Sequence, residues 1–172
     1  FAWKNGSWVR STPAYDGKNL YVAGMRDFLV CIDADTGKKK WSVDFMERYK
    51  APLPAFGFVC SPLVDGEHLY VQAGSGLVKL EKETGKSIWR SLSDKGGMYG
   101  SAFSSPTIAS PQGKRQLLVQ TRTDLAGVDM KDGKVLWRQP IKAFRGMNIL
   151  TPTTYGNGIF TSSYGGQTLL FD

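Results

Sequence analysis

Three tryptophans, Trp41, Trp89 and Trp137, fall 48 residues apart, twice, and each closes the same phrase. The phrase opens on a hydroxyl residue before proline, at Ser11-Thr12-Pro13, Ser61-Pro62 and Ser105-Pro106, and opens once more at Thr151-Pro152. A short apolar run, tight turns and a Gly-Lys step lead from the proline to the indole. Self-similarity at such a period requires a repeat architecture. A single unit of this size cannot bury both of its faces, so neighbouring units must pack on one another.

Residues 11 to 45 show what one unit is. Tyr15-Asp16-Gly17-Lys18-Asn19 reads as a hairpin turn, because Asp-Gly tolerates the left-handed backbone that tight hairpins demand. Leu20–Ala23 and Phe28–Ile32 read as short β-rich strands separated by Gly24-Met25-Arg26-Asp27. Asp33-Ala34-Asp35-Thr36-Gly37-Lys38 is a second hairpin turn, and Lys40-Trp41-Ser42-Val43 closes a fourth strand. The strand ahead of Tyr15 is expected to begin near Trp8-Val9, and no segment of the chain has a helical period. Later units repeat the pattern through Asp65-Gly66 and Glu83-Thr84-Gly85-Lys86, then Ser110–Gly113 and Asp132-Gly133-Lys134, then Gly156-Asn157-Gly158. Four-stranded antiparallel units repeated every 40 to 50 residues are β-propeller blades, so the expected fold is all-β. The expected divisions are one strand at 1–5, blades at 8–45, 57–92 and 102–140, and a partial blade at 149–172.

Composition narrows the chemistry. The 172 residues carry a net charge of +7, but the lysines lie at turn tips such as Lys38-Lys39-Lys40, Lys82 and Lys131, where charge is ordinarily solvated. No RNA-binding signature or zinc-finger spacing accompanies them, and a nucleic-acid partner is not expected. No stretch has the ~18 apolar residues of a membrane helix. Cys31 and Cys60 form no C-x-x-C pair and sit in apolar strands, which suits inert buried thiols; a disulfide between them is left open. Asp33-x-Asp35 resembles a calcium loop, but Gly37 comes one place early and Asp44 stands for the terminal Glu, so the acids are read as turn stabilisers. Gly74-Ser75-Gly76 lacks the third glycine and helix of a dinucleotide site. His68 is the only histidine and is read as a plain strand residue. No metal site and no catalytic residue are assigned.

The residues from Cys31 to Trp41, C-I-D-A-D-T-G-K-K-K-W, from Lys79 to Trp89, K-L-E-K-E-T-G-K-S-I-W, and from Gly127 to Trp137, G-V-D-M-K-D-G-K-V-L-W, resemble the tryptophan-docking motif of quinoprotein (PQQ-type) β-propellers. The resemblance implies that Gly37, Gly85 and Gly133 stack on indoles of neighbouring blades, with Trp3, Trp41, Trp89 and Trp137 as the docking rings. Departures are Cys31, Lys79, Gly127 and Leu170 at the small first position, Glu81 for Asp and Asp132 for Thr. The family includes PQQ-dependent alcohol and sugar dehydrogenases and cofactor-free scaffolds. The dehydrogenases carry a vicinal Cys-Cys pair and a catalytic Asp near calcium ligands, and this sequence has no such pair.

These readings favour a non-catalytic binding or scaffold module of the bacterial periplasm or cell envelope, with no evident cofactor. The alternative is part of a PQQ-dependent dehydrogenase oxidising alcohols or sugars, with PQQ and calcium. The strands sum to four blades, so the expected partners are the remaining blades of a larger propeller or a second copy of the chain, and possible protein partners. Long loops joining the blades, 44–58, 93–103 and 141–148, share a face with the turns at Arg26-Asp27, Arg122–Asp124 and Tyr164. Function concentrates on such loops, and Arg and Tyr are favoured contact residues. Arg26, Arg48, Tyr49, Tyr99, Arg122 and Arg145 are therefore the expected binding residues, with Arg26, Arg122 and Arg145 lining an anion- or partner-binding surface.

Overall fold

The computed structural model describes residues 4, 8–96 and 102–171. Trp3 and Tyr99 lie outside these. The first sheet comprises β1 (Ala14–Tyr15), β2 (Asn19–Gly24), β3 (Phe28–Asp33) and β4 (Lys39–Asp44). The second comprises β5 (Leu63–Asp65), β6 (His68–Gln72), β7 (Leu77–Glu81) and β8 (Ser87–Ser91). The third comprises β9 (Thr107–Ala109), β10 (Gln116–Gln120), β11 (Asp124–Val128) and β12 (Val135–Pro140). The fourth has three strands, β13 (Thr153–Tyr155), β14 (Gly158–Ser162) and β15 (Thr168–Phe171). Every pairing is antiparallel between sequence neighbours, which is the up-and-down connectivity of propeller blades.

Two expectations are corrected. Val9 makes only an isolated bridge to Gly24, and the first regular strand starts at Ala14. A single helical turn, α1 (Phe45–Tyr49), follows β4; Asp44 caps it by accepting from the Glu47 amide at 2.9 Å. Five residues are too few to leave a period in the sequence.

Three apolar clusters lie between the sheets. Side-chain alternation sends Leu69 and Val71 of β6 toward the first sheet and Tyr70 toward the third. Leu117 and Val119 of β10 face the second sheet, and Leu118 faces Ile159 of the fourth. Both faces of β6 and β10 are thus buried, which accounts for their continuous apolar runs.

A β-bulge recurs at one place in each complete sheet. Pairing shifts between Cys31 and Ile32, between Lys79 and Leu80, and between Gly127 and Val128. The residue of register added is Lys40, Ile88 or Leu136, directly before the tryptophan. A bulge bends the strand and re-aims the next side chain. The indoles then meet the following blade's turn: a Cβ on Gly85 would lie 2.7 Å from Trp41 Cε3, and one on Gly133 would lie 2.8 Å from Trp89 Cδ2. Both glycines have positive φ, at +70° and +77°, in turns closed by Gly85 N–H to Glu81 O and Gly133 N–H to Asp129 O.

The indole N–H groups show what the first motif position does. Trp41 Nε1 donates to Lys82 O of the next blade at 3.1 Å. For Trp89 the corresponding acceptor is Met130 O, but Lys79 Nζ takes that carbonyl at 2.7 Å, and Trp89 Nε1 is buried without a hydrogen-bond partner. Trp137 Nε1 turns to Gln116 Oε1 of its own blade, at 2.7 Å.

The repeated Ser/Thr–Pro steps form a second seam. Thr12 N–H donates to Ser61 Oγ (3.0 Å), Ser61 N–H to Ser105 Oγ (2.9 Å) and Ser105 N–H to Thr151 Oγ1 (3.2 Å). Proline keeps the preceding residue extended, and the hydroxyl of each blade satisfies the amide of the blade before it. Deeper in, Gln72 Nε2 bonds Ser104 O and Gln120 O, and Gln120 Nε2 bonds Ser162 O. Lys82 pairs with Asp16 of the preceding blade at 3.4 Å. Burial works to raise the Asp16 pKa, but the Asn19 and Lys18 amides and the Tyr21 hydroxyl hold the carboxyl well below the usual carboxylate range.

Glycine substitution separates docking from turn geometry. Gly85→Ala and Gly133→Ala meet both an indole and a left-handed backbone, and each should cost ~2–4 kcal/mol, against ~1 kcal/mol for Gly66→Ala, whose turn opens to free space. Urea unfolding of the three variants measures the difference; equal costs would remove the docking account.

Candidate protein-binding face

Backbone bonds knit the loops of one face together. Phe45 N–H reaches Asp27 O, Phe58 N–H reaches Met25 O, Asp94 N–H reaches Ser75 O, Ile141 N–H reaches Thr123 O and Phe144 N–H reaches Tyr164 O. The blade-joining loops therefore rest on the turns between second and third strands, as the sequence expects.

The expected binding residues divide into three groups. Arg48 and Tyr49 sit on α1 and bond across the seam: Arg48 Nη1 donates to Gly85 O (2.8 Å) and Ser87 Oγ (2.9 Å), and Tyr49 Oη lies 2.7 Å from Ser87 Oγ. The Tyr49 ring also covers Gly74 and carries the Arg90 guanidinium at 4.7 Å. Their polar groups hold blades together instead of facing a ligand. This comes from the helical turn, which swings both side chains back onto the second sheet. Arg122 and Arg145 form the second group and are brought close, because Gly146 backs onto the Arg122 side chain. Arg122 forms an ion pair with Asp94 at 2.7 Å, and Arg145 lies over the Phe144 ring at 5.0 Å. Phe144 meets Tyr164 edge-on at 5.9 Å, and both rings are about half exposed. Arg26 stands apart, exposed on the first blade beside Phe28, Asp44 and Met46. Asp124, expected in a loop, opens β11 and pairs with Arg138 at 3.8 Å.

Sequence reading missed the centre of this face. Asp27 is buried, with φ of +58°, and its carboxylate accepts the Gly74 amide at 2.8 Å. Burial pushes its pKa up to about 6, the Gly74 amide opposes this, nearby Asp44 adds to it, and Arg90 opposes it. Asp27 and Arg122 line a cavity of about 30 Å³, enough for one or two waters and too small for an organic ligand. The signal lay in Arg26-Asp27, a charged pair in a turn where the second and third blades carry Gly74-Ser75 and Arg122-Thr123.

Strain gathers on the same face. Asp27, Lys50, Ser75, Leu92 and Arg145 are non-glycine residues with positive φ here, and Gln112 lies on the opposite face. Ser75 Oγ, Ser104 Oγ and Asn148 Oδ1 are buried without hydrogen-bond partners. Such costs persist where the surroundings over-determine them and cluster at functional surfaces.

A family model described as "Outer membrane protein assembly factor BamB" matches residues 2–172. The chain belongs to this family. The BamB protein of Yersinia pestis is 26% identical over 129 residues, which is 73% of this chain and 30% of that protein. The crystal structure of BamB from Moraxella catarrhalis aligns over 96% of this chain and 50% of its own, with a TM-score of 0.71 and 20% identity. The quinohemoprotein alcohol dehydrogenase of Comamonas testosteroni aligns over 79% of this chain and 21% of its own, with a TM-score of 0.57 and 20% identity. This BamB-family chain thus spans a half or less of these relatives' length, and the two structures establish the propeller fold.

PQQ and calcium, implied for part of the wider propeller family, do not fit the described residues. Cys31 and Cys60 are separate buried thiols, Cys60 pushed up to about 12 by burial. Among the described residues, no three His, Cys, Asp or Glu side chains group to hold a metal. No helix of the described residues is long and apolar enough to cross a membrane.

Asp27 gives the fold a pH signature with a defined sign. The folded protein holds this proton up to about pH 6, while the unfolded chain releases it near 3.8. The stabilisation present at pH 4 is therefore lost as pH rises through that window, by up to ~3 kcal/mol. Urea unfolding of wild type and Asp27→Asn from pH 4 to 7 tests this: the slope attributable to Asp27 should vanish in the variant.

Proposed function

We propose that this chain is a non-catalytic scaffold of the bacterial cell envelope, serving outer-membrane protein assembly by binding protein partners through its loop face. Family membership over residues 2–172 carries the reading. The cluster of Phe144, Arg145, Tyr164 and Arg122 supports the choice of face. It offers half-exposed aromatic area beside cations, on loops pinned to a rigid sheet array. Because Arg122 is already paired with Asp94, a partner carboxylate would compete for that guanidinium, which favours affinity that weakens with salt. The division of labour is mechanical. Docked indoles fix the sheets, the sheets fix the loops, and little ordering entropy remains to be lost on binding.

The test uses the whole natural protein in its own bacterium. Deletion should lower outer-membrane protein content, and wild type should restore it. Combined Phe144→Ala, Arg145→Glu and Tyr164→Ala substitutions should fail to restore it while the protein accumulates at normal level. Full restoration by the triple variant would remove the assigned face. Reduction of a dye by purified protein with PQQ, calcium and an alcohol or sugar would overturn the scaffold reading in favour of the dehydrogenase one.

A further inference from the structure

The net charge of +7 is not shared evenly between the two faces of the array. Within residues 8–171, the turns from first to second and from third to fourth strands carry ten Lys and Arg side chains against nine Asp and Glu. Several of these interlock, with Lys40 on Glu83 at 3.7 Å, Lys82 on Asp16 at 3.4 Å and Arg115 on Asp65 at 2.6 Å. The loop face carries ten Lys and Arg against five Asp and Glu. Lys79 belongs to neither face, because it crosses the seam to Met130 O. The excess therefore stands on the loop face, although most lysines lie at the turn tips opposite.

The acids of the loop face are largely committed within the fold. Asp27 is buried on the Gly74 amide, Asp44 caps α1, Asp94 holds Arg122 at 2.7 Å and Asp124 holds Arg138 at 3.8 Å. Arg26, Lys50, Lys95, Lys142 and Arg145 are exposed, and they are spread from the first blade to the loop entering the fourth. The backbone aims several of them. Arg145 has φ of +53° and Lys50 +52°, and Asp27, directly after Arg26, has +58°. A fluid plane of lipid headgroups adapts to any arrangement of cations and asks for no such aiming. Fixed guanidinium groups instead match carboxylates that are themselves fixed on a protein. The chain shows that match in Arg115, whose Nη1 and Nη2 donate to the two carboxylate oxygens of Asp65 at 3.2 and 2.6 Å.

We propose that the loop face takes an acidic segment of a partner protein, whose carboxylates seat on cations from Arg26 across to Lys142 and Arg145. This rests on the reading of the loop face as a protein-binding surface and names the chemistry of what it binds. The cations span the loops of successive blades, so the segment is an extended acidic stretch and not a single carboxylate. Complementary potentials speed encounter with such a partner and turn away cationic ones. The balanced, interlocked charges of the opposite face offer no comparable attraction.

The probe is fluorescent poly-L-glutamate, whose anisotropy is followed with the whole natural protein at neutral pH and low salt. Two variants reverse the same number of charges: Arg26→Glu, Lys142→Glu and Arg145→Glu on the loop face, and Lys38→Glu, Lys39→Glu and Lys131→Glu on the opposite face. The first should weaken binding by roughly tenfold or more and the second by less than about threefold, with unchanged circular-dichroism spectra. Wild type supplies a readout that survives if the first variant does not fold. Poly-L-glutamate should shield Lys50, Lys95 and Lys142 from acetylation while Lys38, Lys39 and Lys131 stay reactive. Equal weakening by both variants, undiminished binding by the folded first variant, or equal or greater shielding of Lys38, Lys39 and Lys131 would each overturn the proposal. So would binding to phosphatidylglycerol vesicles that poly-L-glutamate does not displace. None of these measurements reads outer-membrane protein content, so their outcome is separate from that of the restoration test.

Discussion

An indole lying on a glycine turn of the next blade is the contact that the rest of the chain is arranged around. Several otherwise separate features exist to deliver it. The bulge before Trp41, Trp89 and Trp137 re-aims the ring. The local bonds of the turn, such as Thr36 N–H and Oγ1 to Asp33 Oδ1 at 2.8 and 2.7 Å, hold the glycine in its left-handed conformation. The absence of a Cβ lets ring and backbone touch. Buried indole area is worth several kcal/mol per ring by ordinary transfer arithmetic, of order ~25 cal/mol per Å². Among the described residues it is made at two successive seams, Trp41 on Gly85 and Trp89 on Gly133, so it fixes the angle at which those sheets meet.

The departures at Cys31 and Lys79 differ in what they do to the ring's N–H. Where the first motif position is Cys31, the indole finds the next blade's Lys82 carbonyl. Where it is Lys79, the long side chain crosses the seam, its ammonium takes Met130 O, and its stem lies beside Tyr70, with Nζ 5.6 Å from the ring centre. One charged bond replaces one neutral bond between the same two blades, and the seam survives at the cost of an orphaned indole N–H. Desolvation lowers the Lys79 pKa, the expected sign for an ammonium drawn into the seam.

Most of the sheet architecture was legible because hairpin chemistry is local. Asp-Gly and Thr-Gly-Lys turns declare themselves within five residues, and the strands between them alternate or run apolar according to how many faces they bury. What was not legible was set by contacts 38 to 49 residues away. The Ser/Thr–Pro echo was visible, but its role as an amide-to-hydroxyl ladder needed the neighbouring blade. Arg48 and Tyr49 looked like surface contact residues in a long loop. One helical turn, too short to leave a period, directs them onto Ser87. Asp27 looked like a turn acid, and only its burial against Gly74 sets it apart.

The two faces of the array differ in a way that bears on where selection acts. On the motif-turn face, Asp16, Asp33 and Asp129 satisfy nearby amides locally, and among the described residues Gln112 alone of the non-glycine residues has positive φ there. On the loop face, among the described residues, five non-glycine residues sit at positive φ, a carboxyl is buried with a raised pKa, and three side-chain oxygens are buried without partners. Each such feature lowers stability by an amount of order 1–3 kcal/mol, so a chain under selection for stability alone would shed them. They persist because the docked sheets beneath supply enough stability to hold them. That ordering, rigid seam first and costly loops second, is what the proposed scaffold role requires of its sequence.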